Sequence, residues 1–155
     1  MSSTVPYLSP AQLRAALDVR DLSDPAAGPH AIQALTARVV AALARTWPCE
    51  VRWCRGPRVV PVADNYDRLG YAPGAITREA RYTRYVSASR MLRSHSSAMV
   101  PPALRRLPRR PGGDDVLLAC PGMVYRRDAI DWQHSGMPHQ LDLWRIPRQS
   151  RPGAA

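Results

Sequence analysis

One segment in the last third of the chain constrains its fold more than any other. Residues 122–140 gather charged and imidazole side chains on what the pattern predicts to be two strands and the loop joining them. Within these 19 residues lie two arginines, two aspartates and half of the chain's four histidines, namely Arg126, Arg127, Asp128, Asp131, His134 and His139. We therefore expect a strand pair whose connecting loop carries groups capable of chemistry.

Two helices are predicted in the N-terminal third. Ser9 and Pro10 form a good helix start, and Leu13, Ala16 and Leu17 then recur at helical spacing, so a short helix is expected to run to about residue 21. A break at residues 24–29 follows. The helix at residues 31–45 comes after His30, and one apolar stripe indicates it: Ile32, Leu35, Val39, Ala42 and Leu43.

The rest of the chain predicts shorter elements. Two short strands are expected at residues 51–53 and 59–62 around a turn at 55–57, followed by a loop at 63–80 and a segment at 81–93 that is either strand or irregular. Ser97 is predicted to cap a short helix that Pro101 and Pro102 interrupt, and residues 107–113 form a turn or linker. Strands are then expected at 116–119, 122–127 and 139–146. This gives one α+β domain over residues 1–146 and a disordered tail over 147–155.

The strong positive charge has two interpretations. The chain of 155 residues has a formal net charge of +10, and all 22 of its basic residues are arginine. It has neither lysine nor phenylalanine. One interpretation is a GC-rich coding bias that spreads arginine over the surface; the other is a face that binds anions such as nucleic acid.

Cysteine usage and hydropathy indicate the compartment. The three cysteines are odd in number, and the spacing of Cys49 and Cys54 is unlike that of a redox or zinc pair. No apolar run is long enough to span a membrane, and no signal peptide is recognisable. We expect a cytoplasmic protein without a metal site.

Four blocks of the sequence resemble class II aminoacyl-tRNA synthetases, specifically the α chain of phenylalanyl-tRNA synthetase. Residues 122–140 resemble the second signature motif of this family, which reads approximately G-R-V-Y-R-x-D-x-x-D-x-T-H-x-x-M-F-H-Q. His30 and the following helix resemble the first motif, a dimerising helix. Residues 65–73 (N-Y-D-R-L-G-Y-A-P) and 91–97 (M-L-R-S-H-S-S) resemble N-F-D-A-L-N-I-P and L-L-R-T-H-T-S. The resemblance implies a truncated class II synthetase-like antiparallel sheet flanked by helices.

The resemblance also implies roles for single residues. Arg126 matches the arginine that holds the ATP α-phosphate, and its planar guanidinium can clamp a phosphate or carboxylate through two hydrogen bonds. His134 matches a histidine near the nucleotide. Residues that match the surroundings of the amino acid are His95, Ser97, Gln140 and Asp142. Trp132 is expected to cover a bound ligand. The alternative interpretation is a surface pair of Arg126 and Asp128, with structural histidines and a solvent-facing Asp142.

Departures from the family pattern favour a changed ligand. Gln133, Gly136 and Pro138 replace Thr, Pro and Phe, and Asp142-Leu143 replaces Glu-Gly. No counterpart of the third motif, whose arginine grips the ATP γ-phosphate, follows Ile146. We therefore do not expect independent aminoacylation of tRNA.

Three functions remain open from the sequence. The first is an enzyme of specialised small-molecule metabolism that binds an amino acid or an aromatic derivative and performs acid–base or condensation chemistry. Its candidate catalytic residues are His95, Asp128, His134 and His139. The second is a non-catalytic module that binds an amino acid or aminoacyl-tRNA, and the third is half of a split synthetase. No cofactor is expected, although ATP and tRNA stay open as ligands, and the helix at 31–45 is predicted to form a homodimer.

Overall fold

The computed structural model describes residues 6–108, 115–127, 132 and 135–147. Its α-helices are α1 (Pro10–Asp18), α2 (Ala31–Thr46), α3 (Val62–Asn65) and α4 (Val100–Arg105). Its strands are β1 (Glu50–Trp53), β2 (Val59–Pro61), β3 (Arg90–Leu92), β4 (Val116–Met123) and β5 (His139–Ile146). In the described part of the chain, no helix is long and apolar enough to cross a membrane.

The two N-terminal helices follow their local signals. Ser9 accepts a hydrogen bond from the backbone N–H of Gln12, and the Gln12 side chain accepts one from the N–H of Ser9, which completes a capping box. Helix α1 ends at Asp18, before the predicted residue 21, and the backbone is already extended at Val19. Helix α2 begins after His30, whose Nδ1 accepts the N–H of Ile32 at 3.2 Å.

The strands form a three-stranded and a two-stranded sheet, so the predicted α+β class is confirmed. In the larger sheet the order is β1-β4-β5. The pair β4–β5 is antiparallel, whereas β1 runs parallel to β4. Strand β2 pairs with β3 in the second sheet. The two predicted strands around residues 55–57 therefore belong to different sheets rather than to one hairpin.

Strand β4 corrects the prediction of separate strands at 116–119 and 122–127. It continues through Pro121 to Met123, and every one of its residues is buried. Pro121 is tolerated because the pairing of β1 with β4 ends at Ala119. At Pro121, β5 is therefore the one neighbour of β4 among the described strands. Beyond Met123 the chain still bonds to the segment before β5, since the N–H of Val124 donates to the carbonyl of Pro138.

The region around Ser97 also differs from the prediction. His95, not Ser97, occupies the N-cap position of a 3₁₀ turn at Ser96–Met99. Pro101 and Pro102 do not interrupt a helix but lie in the first turn of α4, where a missing N–H costs nothing. The predicted loop at 63–80 contains α3 and two 3₁₀ turns, Asp67–Leu69 and Ile76–Arg78. Most of the linker at 107–113 and all but the first residue of the tail at 147–155 lie outside the described residues.

The core lies on both faces of β4. Val116, Leu118 and Cys120 pack on one face against Met99 and Val100. Leu117 and Ala119 face the other way and pack against α2 through Val40 and Leu43. This alternation is the ordinary pleat of a strand. Because β5 is paired with β4, its successive side chains also alternate between the two faces of the sheet.

Candidate functional site

A pocket of about 310 Å³ lies where four segments of the chain meet. These are the segment from the end of α3 through the 3₁₀ turn at Ile76–Arg78, the stretch around Tyr82, residues 94–95 after β3, and Arg126 after β4. Its lining is dominated by rings and includes one cation, through Tyr66, Tyr71, Ile76, Thr77, Tyr82, Ser94, His95 and Arg126. The volume is in the range of small-molecule sites.

His95 is held at one edge of this pocket. The Asn65 side-chain nitrogen lies 2.8 Å from Ser94 Oγ and 3.4 Å from His95 Nε2, while Asn65 Oδ1 accepts the N–H of Ser94. The Nδ1 atom of His95 is buried and has no hydrogen-bond partner among the residues that the structure describes. If Nε2 accepts the Asn65 amide hydrogen, Nδ1 carries the proton of the neutral ring and is a donor awaiting an acceptor.

Burial determines the charge of His95. It lowers the pKa of the imidazole below its usual value, and the nearby positive charge of Arg126 lowers the pKa further. A hydrogen bond with Asn65 and the charge of Asp142 act in the opposite direction and are weaker. His95 is therefore predominantly neutral at neutral pH, the form that can accept a proton.

Two tyrosine rings form the wall beside His95. Tyr71 stacks on the imidazole with ring centroids 5.6 Å apart and an interplanar angle of 12°. Tyr66 meets Tyr71 edge to face at 5.3 Å. The hydroxyl of Tyr66 donates to the carbonyl of Thr77 at 2.8 Å and lies 2.6 Å from Thr83 Oγ1, which fixes the ring. A flat apolar ring of a ligand would find complementary surfaces here.

Arg126 supplies the positive charge of the pocket. Its backbone N–H donates to the carbonyl of Gly136 at 2.9 Å, and its Nε donates to the carbonyl of Ser94 at 3.3 Å. Among the described residues, no carboxylate forms an ion pair with this guanidinium. Its terminal nitrogens can therefore receive an anionic group of a ligand.

Three other predicted site residues lie next to the pocket. Gln140 Oε1 accepts the backbone N–H of Ser96 at 3.1 Å, which ties β5 to the 3₁₀ turn that contains Ser97. Asp142 is two residues along β5 and shares the face of Gln140. The negative charge of Asp142 acts weakly to raise the pKa of His95.

The structure separates His139 from this group. His139 points to the opposite face of β5 from Gln140 and Asp142, because successive side chains on a strand alternate. Its Nε2 accepts the N–H of Leu22 at 2.9 Å and lies 3.4 Å from Asp21. Burial lowers the pKa of His139, so the neutral acceptor form fits this bond. The placement favours a structural role for His139.

Trp132 belongs to the loop of the predicted motif. Trp132 is 90% exposed. Asp128 and His134, two of the predicted catalytic residues, lie outside the described residues. A catalytic role for either stays a prediction.

Sequence reasoning missed several residues of the site. Asn65, Tyr66 and Tyr71 lie in the block at 65–73 that was recognised only as a pattern, and Tyr82 belongs to a segment without a clear periodicity. Four of the chain's six tyrosines lie within residues 66–85, and this clustering was the available signal.

A buried ion pair was also missed. The Arg93 Nη2 atom lies 3.5 Å from Asp21 Oδ2, and both side chains are almost fully buried. Arg93 also donates to the carbonyls of Met123 and Gly56, and Asp21 accepts the N–H of Met123 and the hydroxyl of Ser23. No local pattern connects residues so far apart in the sequence. Within the described residues there is no cluster of side chains that could hold a metal ion.

Comparisons with known proteins give a consistent result. The profile of the family described as "tRNA synthetases class II core domain (F)" matches residues 19–151. The phenylalanine–tRNA ligase alpha subunit of Prochlorococcus marinus strain MIT 9313 is 34% identical over 95 residues, 61% of this chain and 27% of that protein. The corresponding subunit of Geobacillus thermodenitrificans strain NG80-2 is 31% identical over 96 residues, 62% of this chain and 27% of that protein.

The chain spans about a quarter of the length of these relatives. Among solved structures, a pyrrolysyl-tRNA synthetase, PylSc of Desulfitobacterium hafniense, is 13% identical with a TM-score of 0.47. That match covers 72% of this chain and 37% of the other.

Proposed function

The chain belongs to the family of class II tRNA synthetase core domains, and from this premise we propose that its pocket binds an aromatic amino acid or a derivative of one. We further propose that the protein is an enzyme of specialised small-molecule metabolism, in which His95 acts as the acid–base group of a condensation or related reaction. One observation carries the proposal: a guanidinium, an aromatic wall and an imidazole with a buried unpartnered nitrogen line the same pocket.

The aromatic part of the ligand is proposed from the tyrosines. Tyr66, Tyr71 and Tyr82 all line this one cavity, and aromatic rings prefer to pack against one another edge to face or offset-stacked. Ile76 adds an apolar contact. A side chain such as that of phenylalanine, tyrosine or tryptophan fits this lining better than a charged one.

The polar part of the ligand is proposed from Arg126 and Asp142. A carboxylate or phosphate would pair with the Arg126 guanidinium, which is half-buried and so less screened by water. Asp142, on the neighbouring strand face, would attract an ammonium group. The carboxylate of a free amino acid would then pair with Arg126, and its ammonium group with Asp142.

The chemical step is proposed from His95. In the tautomer in which Nε2 accepts from Asn65, the Nδ1–H of His95 can donate a hydrogen bond to a ligand oxygen on which negative charge develops. In the other tautomer Nδ1 is free to take a proton from an ammonium or hydroxyl group of the ligand, and general acid–base catalysis of this kind typically contributes 10²–10⁴-fold. The alternative function is a module that binds an amino acid or aminoacyl-tRNA without turning it over. ATP is a further candidate ligand for the Arg126 guanidinium.

Calorimetric titration with phenylalanine, tyrosine, tryptophan and ATP, each separately, tests the proposal. We expect saturable binding of at least one aromatic amino acid, weakened about tenfold or more in Arg126→Gln through loss of a charged hydrogen bond. Arg38→Gln removes an exposed arginine from α2 and is the matched control. Equal affinity in the two variants, or no amino-acid binding by folded protein, would contradict the proposal.

Turnover separates the enzyme from the binding module. In His95→Asn, we expect retained amino-acid binding and no product when reaction mixtures are followed by mass spectrometry. Wild-type protein that binds the amino acid and yields no product with amine or carboxylate co-substrates supports the non-catalytic alternative.

We also propose that the protein forms a homodimer through α2. Leu35 is 63% exposed and Val39 is 38% exposed, although both belong to the apolar stripe of this helix. Leu43, by contrast, packs on the sheet. The stripe therefore extends beyond what the protein's own sheet covers, and a second copy of α2 would cover the rest.

A further inference from the structure

A second cavity, of about 360 Å³, lies between β1, the turn at residues 54–57 and α4. It shares no lining residue with the pocket of His95. Its volume also falls in the range of small-molecule sites. Neither the proposed function nor the resemblance to synthetases assigns a ligand to it.

The inner surface of this cavity is mostly aliphatic. The lining includes Val60, Ala98, Met99, Ala103, Leu107 and Leu118. The thiol of Cys54 is already engaged with the carbonyl of Arg52 at 3.6 Å. Asp64 also contributes to the lining, and its carboxylate is paired with Arg68 and Arg105. The interior therefore offers contacts to hydrocarbon and few hydrogen bonds.

The lining of the cavity also includes arginines. The Arg55 guanidinium lies 5.0 Å from the centre of the Trp53 ring, and its Nη2 makes only a long contact of 3.5 Å with the carbonyl of Ser23. Arg106 follows α4 and is exposed. In the described part of the chain, neither arginine forms an ion pair with a carboxylate. Both arginines line the cavity, so two guanidinium groups are available there to pair with an anion.

We propose that this cavity binds an aliphatic carboxylate. The hydrocarbon chain lies against Met99 and Leu118, and the carboxylate is bound by Arg55 and Arg106. A nucleotide fits less well, because the interior provides few partners for the polar edge of a base and Arg55 already covers one face of Trp53. The proposal is independent of the function of the His95 pocket.

Titration of the full chain with octanoate tests this inference. We expect saturable binding that weakens about tenfold or more in both Arg55→Gln and Arg106→Gln, since each removes a charged hydrogen-bond donor. Arg106 is exposed, so its replacement leaves the fold intact. The shorter butyrate is expected to bind at least about tenfold more weakly, because fewer methylene groups leave water.

Two control variants locate the binding. Arg126→Gln removes the guanidinium of the other pocket and is expected to leave octanoate affinity unchanged, as is Arg38→Gln on α2. Absence of saturable octanoate binding would overturn the proposal. Equal affinity of Arg55→Gln, Arg106→Gln and wild type would also overturn it, and so would loss of octanoate binding in Arg126→Gln alone.

Discussion

Individual side chains of this protein take their charge state from their neighbours, and His95 is the residue in which this matters most for chemistry. Its ring is enclosed by Tyr71 and Asn65, and Arg126 adds a positive charge nearby. Burial and that charge both favour the neutral imidazole. Replacing Arg126 removes the charge but leaves the burial, so mutation can separate their two effects on the pKa of His95.

The first prediction concerns the pKa of His95. In Arg126→Gln one positive charge is lost, so we expect the pKa to rise toward 6.5 without reaching it, because burial remains. Titration of the imidazole C–H signals by NMR measures this, with His95→Asn identifying the signal. A pKa in Arg126→Gln at or below the wild-type value would show that the charge of Arg126 has no influence on the ring.

The second prediction concerns Asp21. Burial raises the pKa of this carboxyl, but the hydrogen bonds from Ser23 and Met123 and the charge of Arg93 outweigh it, so the net pKa lies below the usual value. Because the folded state binds the proton less tightly than the unfolded state, the carboxylate stabilises the fold fully above a pH of about 4. This stabilisation is lost as the pH falls through the lower folded-state pKa.

Asp21→Asn removes this contribution. We expect the free energy of unfolding at pH 7 to fall by about 3 kcal/mol, since Arg93 is left buried without a counter-ion. The variant should also lose less stability than wild type between pH 5 and pH 2 in urea denaturation. Asp18→Asn, an exposed change at the end of α1, is the control. Equal stability of the Asp21 and Asp18 variants at pH 7 would be incompatible with a role for the buried pair.

Among the structural elements, β4 depends most on close packing. It is buried along its whole length, and at Gly122 the guanidinium of Arg93 lies where a side chain would otherwise be. Arg93 cannot easily move away, because it donates to the carbonyls of Met123 and Gly56. Glycine is therefore required at this position for lack of space, not for its backbone angles.

The third prediction follows from this contact. Gly122→Ala should lower the free energy of unfolding by about 1–3 kcal/mol, the usual cost of overpacking a buried site. Gly74→Ala is the matched control, since an added methyl group there meets no atom within 4 Å, and its stability should remain within about 0.5 kcal/mol of wild type. Urea denaturation of both variants measures the difference. Identical midpoints would rule out the steric explanation.

At the scale of the whole molecule, part of the apolar stripe of α2 is exposed. Leu35 and Val39 lie outside the core formed by Val40, Leu43 and the sheet. An exposed apolar stripe on a helix is unfavourable in water unless a partner buries it.

The fourth prediction is that the protein is a dimer at micromolar concentration. Light scattering should give twice the 17.2 kDa of one chain, and Leu35→Glu should give the monomer mass, because a buried unpaired carboxylate is costly at an interface. Leu104→Glu places the same charge on α4 and should leave the dimer intact. A wild-type monomer would contradict the proposed pairing.

The sequence by itself determined the parts of this protein that depend on neighbouring residues. The cap at Ser9 and the apolar stripe after His30 predicted α1 and α2, because the hydrogen bonds of a helix join residues only a few positions apart. The motif at residues 122–140 and the blocks before it were sufficient to indicate the α+β class and the family. The same motifs predicted Arg126 and His95 as site residues, and both line the pocket of the candidate site.

Only the tertiary structure decided the rest. Tyr71 stacks on His95, and Arg93 pairs with Asp21, across separations in sequence that no local pattern spans. The end of β1 at Trp53 is what lets β4 pass through Pro121, and the pleat of β5 is what places His139 away from Gln140. These outcomes depend on which strands meet and on which face each side chain leaves the sheet, and a shift of register by one residue would reverse every one of those faces.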